Sequence, residues 1–220
     1  MTTRRPRAIF FDVGGTLIDP HPSVGAVYAS VARGYGINKT PDEMERAFGR
    51  VWAEMKRPGL TVSEKAWWRE LVFRVLQQEN EACFEELYDA FARADAWRVY
   101  PDVEDALRQA RVRGLHVGVI SNWDGRLRGL LEKLGLSAYF DSMTVSCDIG
   151  AEKPAAAIFQ AALRAAGVGV EEAIHIGDSY EHDVRGAEAV GLRSMLIDRS
   201  PGARAGIRDL RLLWTELDRC

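Results

Sequence analysis

The sequence predicts an α/β fold: a doubly wound parallel sheet interrupted by an all-helical insertion. Two observations predict it. Residues 7–17 and 99–200 alternate short apolar or β-branched runs with helix-length patterns, and residues 19–98 carry helical signals with no convincing strand. Strands alternating with helices of about ten residues pack as right-handed βαβ units around a parallel sheet.

The strand-like runs are Ala8–Phe11, Leu115–Ile120, Met143–Ser146, Ala173–Ile176 and Arg193–Ile197, with helical patterns near 102–113, 125–135, 155–166 and 181–190. Pro20 and Pro22 mark the exit from the first strand unit. Ser23 is placed to cap a helix ending near Gly34-Tyr35-Gly36. Thr40-Pro41-Asp42-Glu43 reads as a capping box with proline in the first turn, opening a helix that stops before Pro58-Gly59. Ser63 and Asn80 suit the caps of two further helices ending near Trp97. The expected domains are therefore a core of 1–18 with 99–220 and a helical insertion of 19–98.

Composition narrows the function classes. A length of 220 residues suits one core domain carrying an insertion, and 47% hydrophobic with 28% charged residues suits a packed core, not disorder. The net charge of -3, from 29 basic and 32 acidic residues, provides no global field for nucleic acid. Arg4, Arg5 and Arg7 read as solvated charges near the start. No apolar run approaches the roughly 20 residues of a membrane span, and Asp12 cuts the first one short of a signal sequence. Cys83, Cys147 and Cys220 are odd in number and far apart, which argues against a disulfide framework or zinc site and for a reducing, cytoplasmic setting.

Four segments carry chemistry. In Phe10-Phe11-Asp12-Val13-Gly14-Gly15-Thr16-Leu17 an apolar strand ends at a carboxylate, followed by a glycine turn and a hydroxyl. Ligands bind beyond such strand ends, where Asp12 suits a nucleophile or metal ligand and glycines let backbone amides approach an anion. Val117-Gly118-Val119-Ile120-Ser121-Asn122 ends in a hydroxyl and an amide able to hold a phosphate oxygen. Glu152-Lys153-Pro154 offers a cation before a helix. Ile174-His175-Ile176-Gly177-Asp178 supplies a second strand-end carboxylate, with Asp183 beyond it, and such pairs suit a hard cation. Each segment also has a plainer reading: a solvated turn, helix caps at Ser121, Asn122 and Asp183, or an exposed lysine.

In their order and spacing these segments resemble, over the whole chain, the hydrolases of the haloacid dehalogenase superfamily. Asp12-x-x-x-Thr16 matches the first motif, Ser121 the second, Lys153 the third and Gly177-Asp178-x-x-x-x-Asp183 the fourth. The 19–98 insertion sits where the first class of that superfamily places its cap domain. Gly14-Gly15-Thr16-Leu17 and Ser121-Asn122-Trp123-Asp124 also resemble the subgroup named after a rhythmically expressed insect gene.

The resemblance implies a Rossmann-like core and a magnesium-dependent phosphatase acting on a small phosphorylated substrate, as a monomer or homodimer, with neither nucleic acid nor membrane as partner. It makes Asp12 the nucleophile of an aspartyl-phosphate. Magnesium is held by Asp12, the Gly14 carbonyl and Asp178, with Asp183 acting through water or hydrogen bonds. Ser121 contacts the phosphate, as Asn122 and Thr16 are placed to do, and Lys153 offsets the gathered negative charge. The departure is Gly14, where family phosphatases usually carry an acid that protonates the leaving group. Loss of a general acid typically costs about 10²–10⁴ in rate. This implies weak activity or esters with good leaving groups. It leaves open a non-catalytic phosphate- or partner-binding module, and more distantly a dehalogenase or a phosphonatase using Lys39, Lys56 or Lys65. His116 and His175 read as core, His182 as a surface residue or a substitute acid, and Trp52, Trp67, Trp68 and Trp97 as packing. Trp123 is a candidate for the site entrance.

Overall fold

The computed structural model describes residues 5–55, 64–202 and 205–219. The chain forms two compact units: residues up to Ile18 with those from Val99 onward, and Asp19–Arg98. Among the described residues the strands are β1 (Ala8–Phe11), β2 (Ile18–Pro20), β3 (Trp97–Val99), β4 (His116–Ser121), β5 (Ser142–Val145), β6 (Ala173–Gly177) and β7 (Arg193–Leu196).

The first unit is built on a parallel sheet ordered β5-β4-β1-β6-β7. Every residue of β1 and β6 is buried, whereas the edge strands β5 and β7 are only partly so. Central strands covered on both faces need continuous apolar runs instead of alternation, which explains Ala8-Ile9-Phe10-Phe11. On one face the helix Ala156–Ala166 packs Ile158, Phe159 and Ala162 against Ala8, Phe10, Ile120 and Ala173. Truncating a buried phenylalanine such as Phe159 to alanine costs about 3–5 kcal/mol.

The topology positions the site. From β1 the chain proceeds to β4 and β5 on one side, then returns to β6 and β7 on the other. In-register pairing of Phe11 with Val119 and with Ile176 brings the carboxyl ends of β4 and β6 beside that of β1. Such a reversal opens a crevice beyond the strand ends.

The second unit is helical. Val24–Arg33 is capped by Ser23, whose hydroxyl accepts from the Ala26 amide, and Pro41–Glu54 opens with the reciprocal Thr40/Glu43 capping box. Glu64–Leu76 follows, then Glu81–Ala90, capped by Asn80. Pro58, Gly59 and Ser63 lie outside the described residues, as do Arg4, Lys56 and Cys220. The helices enclose Tyr28, Met44, Leu71, Phe84 and Leu87. Trp67 and Trp68 pack edge to face at 5.0 Å, and Trp52 stacks on Phe48 at 5.6 Å. No helix among the described residues is long and apolar enough to cross a membrane.

Two expectations need correction. The segments entering and leaving the insertion pair as β2 and β3, so 19–98 is not free of strand. Backbone groups of two adjacent chain segments satisfy one another there, and three residues are too few to show a period. The predicted helix at 181–190 is a wide π-type turn, Tyr180–Arg185, continued by Gly186–Glu188. Its N-cap is Ser179, not Asp183, because the Asp183 carboxylate is drawn inward by buried partners.

Candidate functional site

Asp12 directly follows β1, its amide donating to the Ile176 carbonyl at 2.8 Å. Its buried carboxylate accepts from Ser121 Oγ at 3.1 Å and from Lys153 Nζ at 2.5 Å, both on Oδ1. Lys153 is itself buried and donates to Asp183 Oδ1 at 2.6 Å. Asp183 also receives His175 Nε2 at 2.8 Å and the Ser179 amide at 3.0 Å. Asp178 is exposed as a residue, but its carboxylate packs against Gly15, and Asp12, Asp178 and Asp183 each offer an oxygen within 4.8 Å of the others.

Asp12 and Asp183 thus share one ammonium, with the Asp178 carboxylate close by. Burial pushes the Asp12 carboxyl above its ordinary pKa, with Asp183 adding and Lys153 opposing. Asp178 is pushed up to about 7, by loss of water and then by the charges of Asp12 and Asp183. At Asp183 burial works in the same upward direction, but Lys153 and His175 overcome it and hold the carboxyl well below its usual range. Burial opposes the Lys153 charge, yet Asp12 and Asp183 keep its pKa above the ordinary lysine value. The cluster therefore holds excess negative charge in a poorly solvated place, which costs several kcal/mol per unpaired ion. An oxygen-only donor set with surplus negative charge suits a hard divalent cation.

The glycine loop fits closely around this cluster. Gly15 has φ +74°, and a Cβ there would collide with the Asp178 carboxylate. Gly14 differs: it is not among the residues of positive φ, and an ideal Cβ would lie 3.3 Å from Trp123 Cζ3. What restricts position 14 is therefore the indole above it, not its backbone conformation.

Of the residues expected at the site, Asp12, Ser121, Lys153, Asp178 and Asp183 converge, with Gly14 beside them. Two expected phosphate contacts, Asn122 and Thr16, have other surroundings among the described residues. Asn122 directs its amide to the Lys153 backbone, donating from Nδ2 to the carbonyl at 3.0 Å and accepting the amide at 2.7 Å. Thr16 is fully buried, with no partner for its hydroxyl among the described residues, while Arg199 holds its carbonyl at 2.8 Å.

Other readings also shift. His175 is buried, but it is a polar partner of Asp183 as well as core. A histidine inside an apolar strand gives no sequence signal of that role. His116 is only partly buried and pairs with Ser142 Oγ at 2.8 Å. His182 is exposed and bonds Ser179 Oγ at 3.0 Å. Lys39 donates to the Val75 and Leu76 carbonyls, and Lys65 to Glu85.

A family model described as haloacid dehalogenase-like hydrolase matches residues 6–191. The haloacid dehalogenase-like hydrolase domain-containing protein 3 of Homo sapiens is 35% identical over 204 residues, covering 87% of this chain and 81% of that protein. The phosphoserine phosphatase of Thermus thermophilus is 37% identical over 182 residues, 75% of this chain and 72% of its own. The Rhythmically expressed gene 2 protein of Drosophila melanogaster is 28% identical, covering 88% and 83%. Among solved structures, the HAD phosphatase from Thermococcus onnurineus matches with a TM-score of 0.70 at 27% identity, covering 96% of this chain and 97% of its own.

Proposed function

The chain belongs to the haloacid dehalogenase-like hydrolases, and we propose that it is a magnesium-dependent phosphatase acting on small phosphorylated molecules through an aspartyl-phosphate. The observation that carries this reading is the buried Asp12 carboxylate, held by Ser121 and Lys153 beside two further carboxylates. The phosphoserine phosphatase and the HAD phosphatase among the similar proteins support it.

Asp12 Oδ1 is committed to Ser121 and Lys153, which orients the carboxylate and leaves Oδ2 to attack phosphorus. A bond forms between that oxygen and phosphorus as the ester oxygen departs with its electron pair. Water then cleaves the aspartyl-phosphate and regenerates the carboxylate. Ser121 and Lys153 are the donors for the negative charge that gathers during both steps. Asn122 fixes the Lys153 backbone, and His175 fixes Asp183. Asp12, Asp178 and the Gly14 carbonyl would hold magnesium, with Asp183 acting through water or hydrogen bonds. The ion would supply neutralisation of the phosphate charge. Gly14 contributes no proton to the leaving oxygen, so unaided departure limits the reaction.

The test is a phosphate-release screen with magnesium across many esters, with Asp12→Asn as the blank. Metal-dependent release by the wild type alone is expected, with phosphate trapped on Asp12. A second reading, a phosphate- or partner-binding module without turnover, draws on the missing acid at Gly14. Binding of phosphate without any phosphoenzyme burst would favour it.

A further inference from the structure

We infer that Trp123 sets the specificity of this site, giving the nucleophile an apolar aromatic wall that selects phosphate esters with a planar, weakly basic leaving group. The inference rests on the phosphatase reading and adds a substrate class to it. Trp123 lies two residues beyond Ser121, whose hydroxyl touches Asp12, and Gly14 lies two residues beyond Asp12 itself. Both therefore flank the nucleophile at the carboxyl end of the sheet. The direction in which a side chain at position 14 would project meets the indole edge, with Cζ3 3.3 Å from an ideal Cβ.

The ring is mounted on a fixed frame. The Trp123 amide donates to Ser146 Oγ at 3.1 Å, and the same hydroxyl donates back to the Trp123 carbonyl at 3.1 Å. Ser146 is buried at the end of β5. On one side of Trp123, Asn122 is bound to the Lys153 backbone. On the other, buried Asp124 accepts from Arg126 Nε on both oxygens, at 2.9 and 3.0 Å. Residues 122–124 are thus tied at each position, which fixes the backbone that carries the indole.

Two chemical consequences follow. A wall of carbon beside the ester oxygen donates no proton there, so the leaving group must be stable as an anion. A flat aromatic surface also rewards a flat partner through stacking. Aryl and enol phosphates meet both conditions; alkyl phosphates meet neither.

The experiment measures binding of phenylphosphonate and methylphosphonate, with magnesium, to the wild-type protein, by calorimetry. Because these analogues are not turned over, failure of the phosphatase reading remains distinguishable from failure of this one. Phenylphosphonate should bind about five- to tenfold more tightly, the size of one aromatic contact. Trp123→Ala should abolish that preference without weakening methylphosphonate, while Trp123→Phe should keep most of it. Magnesium affinity serves as the control for a correctly formed site. Equal affinity for both analogues, or a preference that survives in Trp123→Ala, overturns the inference. If Trp123→Ala fails to fold, Trp123→Leu, which keeps the bulk and removes the flat face, decides between the same outcomes.

Discussion

Asp12 and Gly14 stand two residues apart on one loop, yet their surroundings are opposite. Asp12 is enclosed by a network of charges: Ser121 and Lys153 on one oxygen, with Asp183, Ser179 and His175 behind the lysine. Gly14 is covered by carbon, the Trp123 indole. The attacking side of the site is thus fixed several times over, while the departing side has no titratable group at position 14. On the proposed phosphatase reading, that asymmetry favours specialisation by leaving group over weak activity.

The largest expected effect comes from the charged side. Lys153→Met removes the ammonium that Asp12 and Asp183 share. Breaking a buried pair from one side costs about 3–5 kcal/mol, because the partner charges stay buried and unpaired. For a chain of this size that is a fall in Tm on the order of 10 °C. Thermal unfolding checks it, and an unchanged Tm would mean that the network is not an energetic unit. No comparable loss is expected from Trp123 variants, which keep the backbone bonds to Ser146.

The next effect concerns Asp178. The Asp178 carboxyl is pushed up to about 7 from its ordinary 3.8, so below neutrality it carries a proton that magnesium must displace. Magnesium affinity should rise about fivefold between pH 6 and 7 and only about twofold more above. The effect on the metal-free protein has the opposite sign. The folded state holds this proton more tightly than the unfolded chain, so the resulting stability is complete below about pH 4 and is lost as pH rises through about 7. Calorimetric titration at several pH values, with Asp178→Ala alongside, checks both. The variant should bind magnesium much more weakly and lose the pH slope. A slope that persists in it would assign the proton to Asp12.

Much of this arrangement was legible in the sequence because parallel strands report themselves. Ala8–Phe11 and, apart from His175, Ala173–Gly177 are apolar, so the aspartate just beyond each run marks the crevice. The caps Ser23, Thr40 and Asn80 were readable for a similar reason: each is a local bond to an amide three residues on. What the sequence concealed is direction. Asn122 follows its strand where a phosphate contact is expected, yet its amide bonds the Lys153 backbone, and Thr16 is buried with no partner for its hydroxyl among the described residues. His175 is hidden inside a core strand. The contact between Gly14 and Trp123 joins two segments that only the sheet register brings together, and the length-three strands β2 and β3 are too short to carry a pattern.

The smallest expected effect is also the one that most sharpens the comparison. If only the missing acid distinguished the two sides, Gly14→Asp would recover much of a general-acid contribution of about 10²–10⁴. The backbone does not forbid it, since Gly14 is not at positive φ. The obstacle is that a Cβ would sit 3.3 Å from Trp123 Cζ3, so the indole edge must give by a few tenths of an ångström and limits the rotamers open to a carboxylate. Gly14→Asp alone should therefore change alkyl phosphate turnover by less than about tenfold, whereas Gly14→Asp with Trp123→Ala should approach the full range. The wild type should show a burst with p-nitrophenyl phosphate followed by slow turnover, and its chemical step should depend steeply on leaving-group pKa. A phenolate leaves without help, an alkoxide does not. The double variant should flatten that dependence and quicken the steady state, because a carboxylate can both protonate the leaving oxygen and activate water. Interaction between the two substitutions is the decisive quantity. If the single Gly14→Asp variant gains as much as the double, the indole is no obstacle and the wall is only packing. If the wild type already hydrolyses alkyl and aryl esters at equal rates, the proton comes from elsewhere, and the exposed His182 beside Ser179 becomes the first residue to replace.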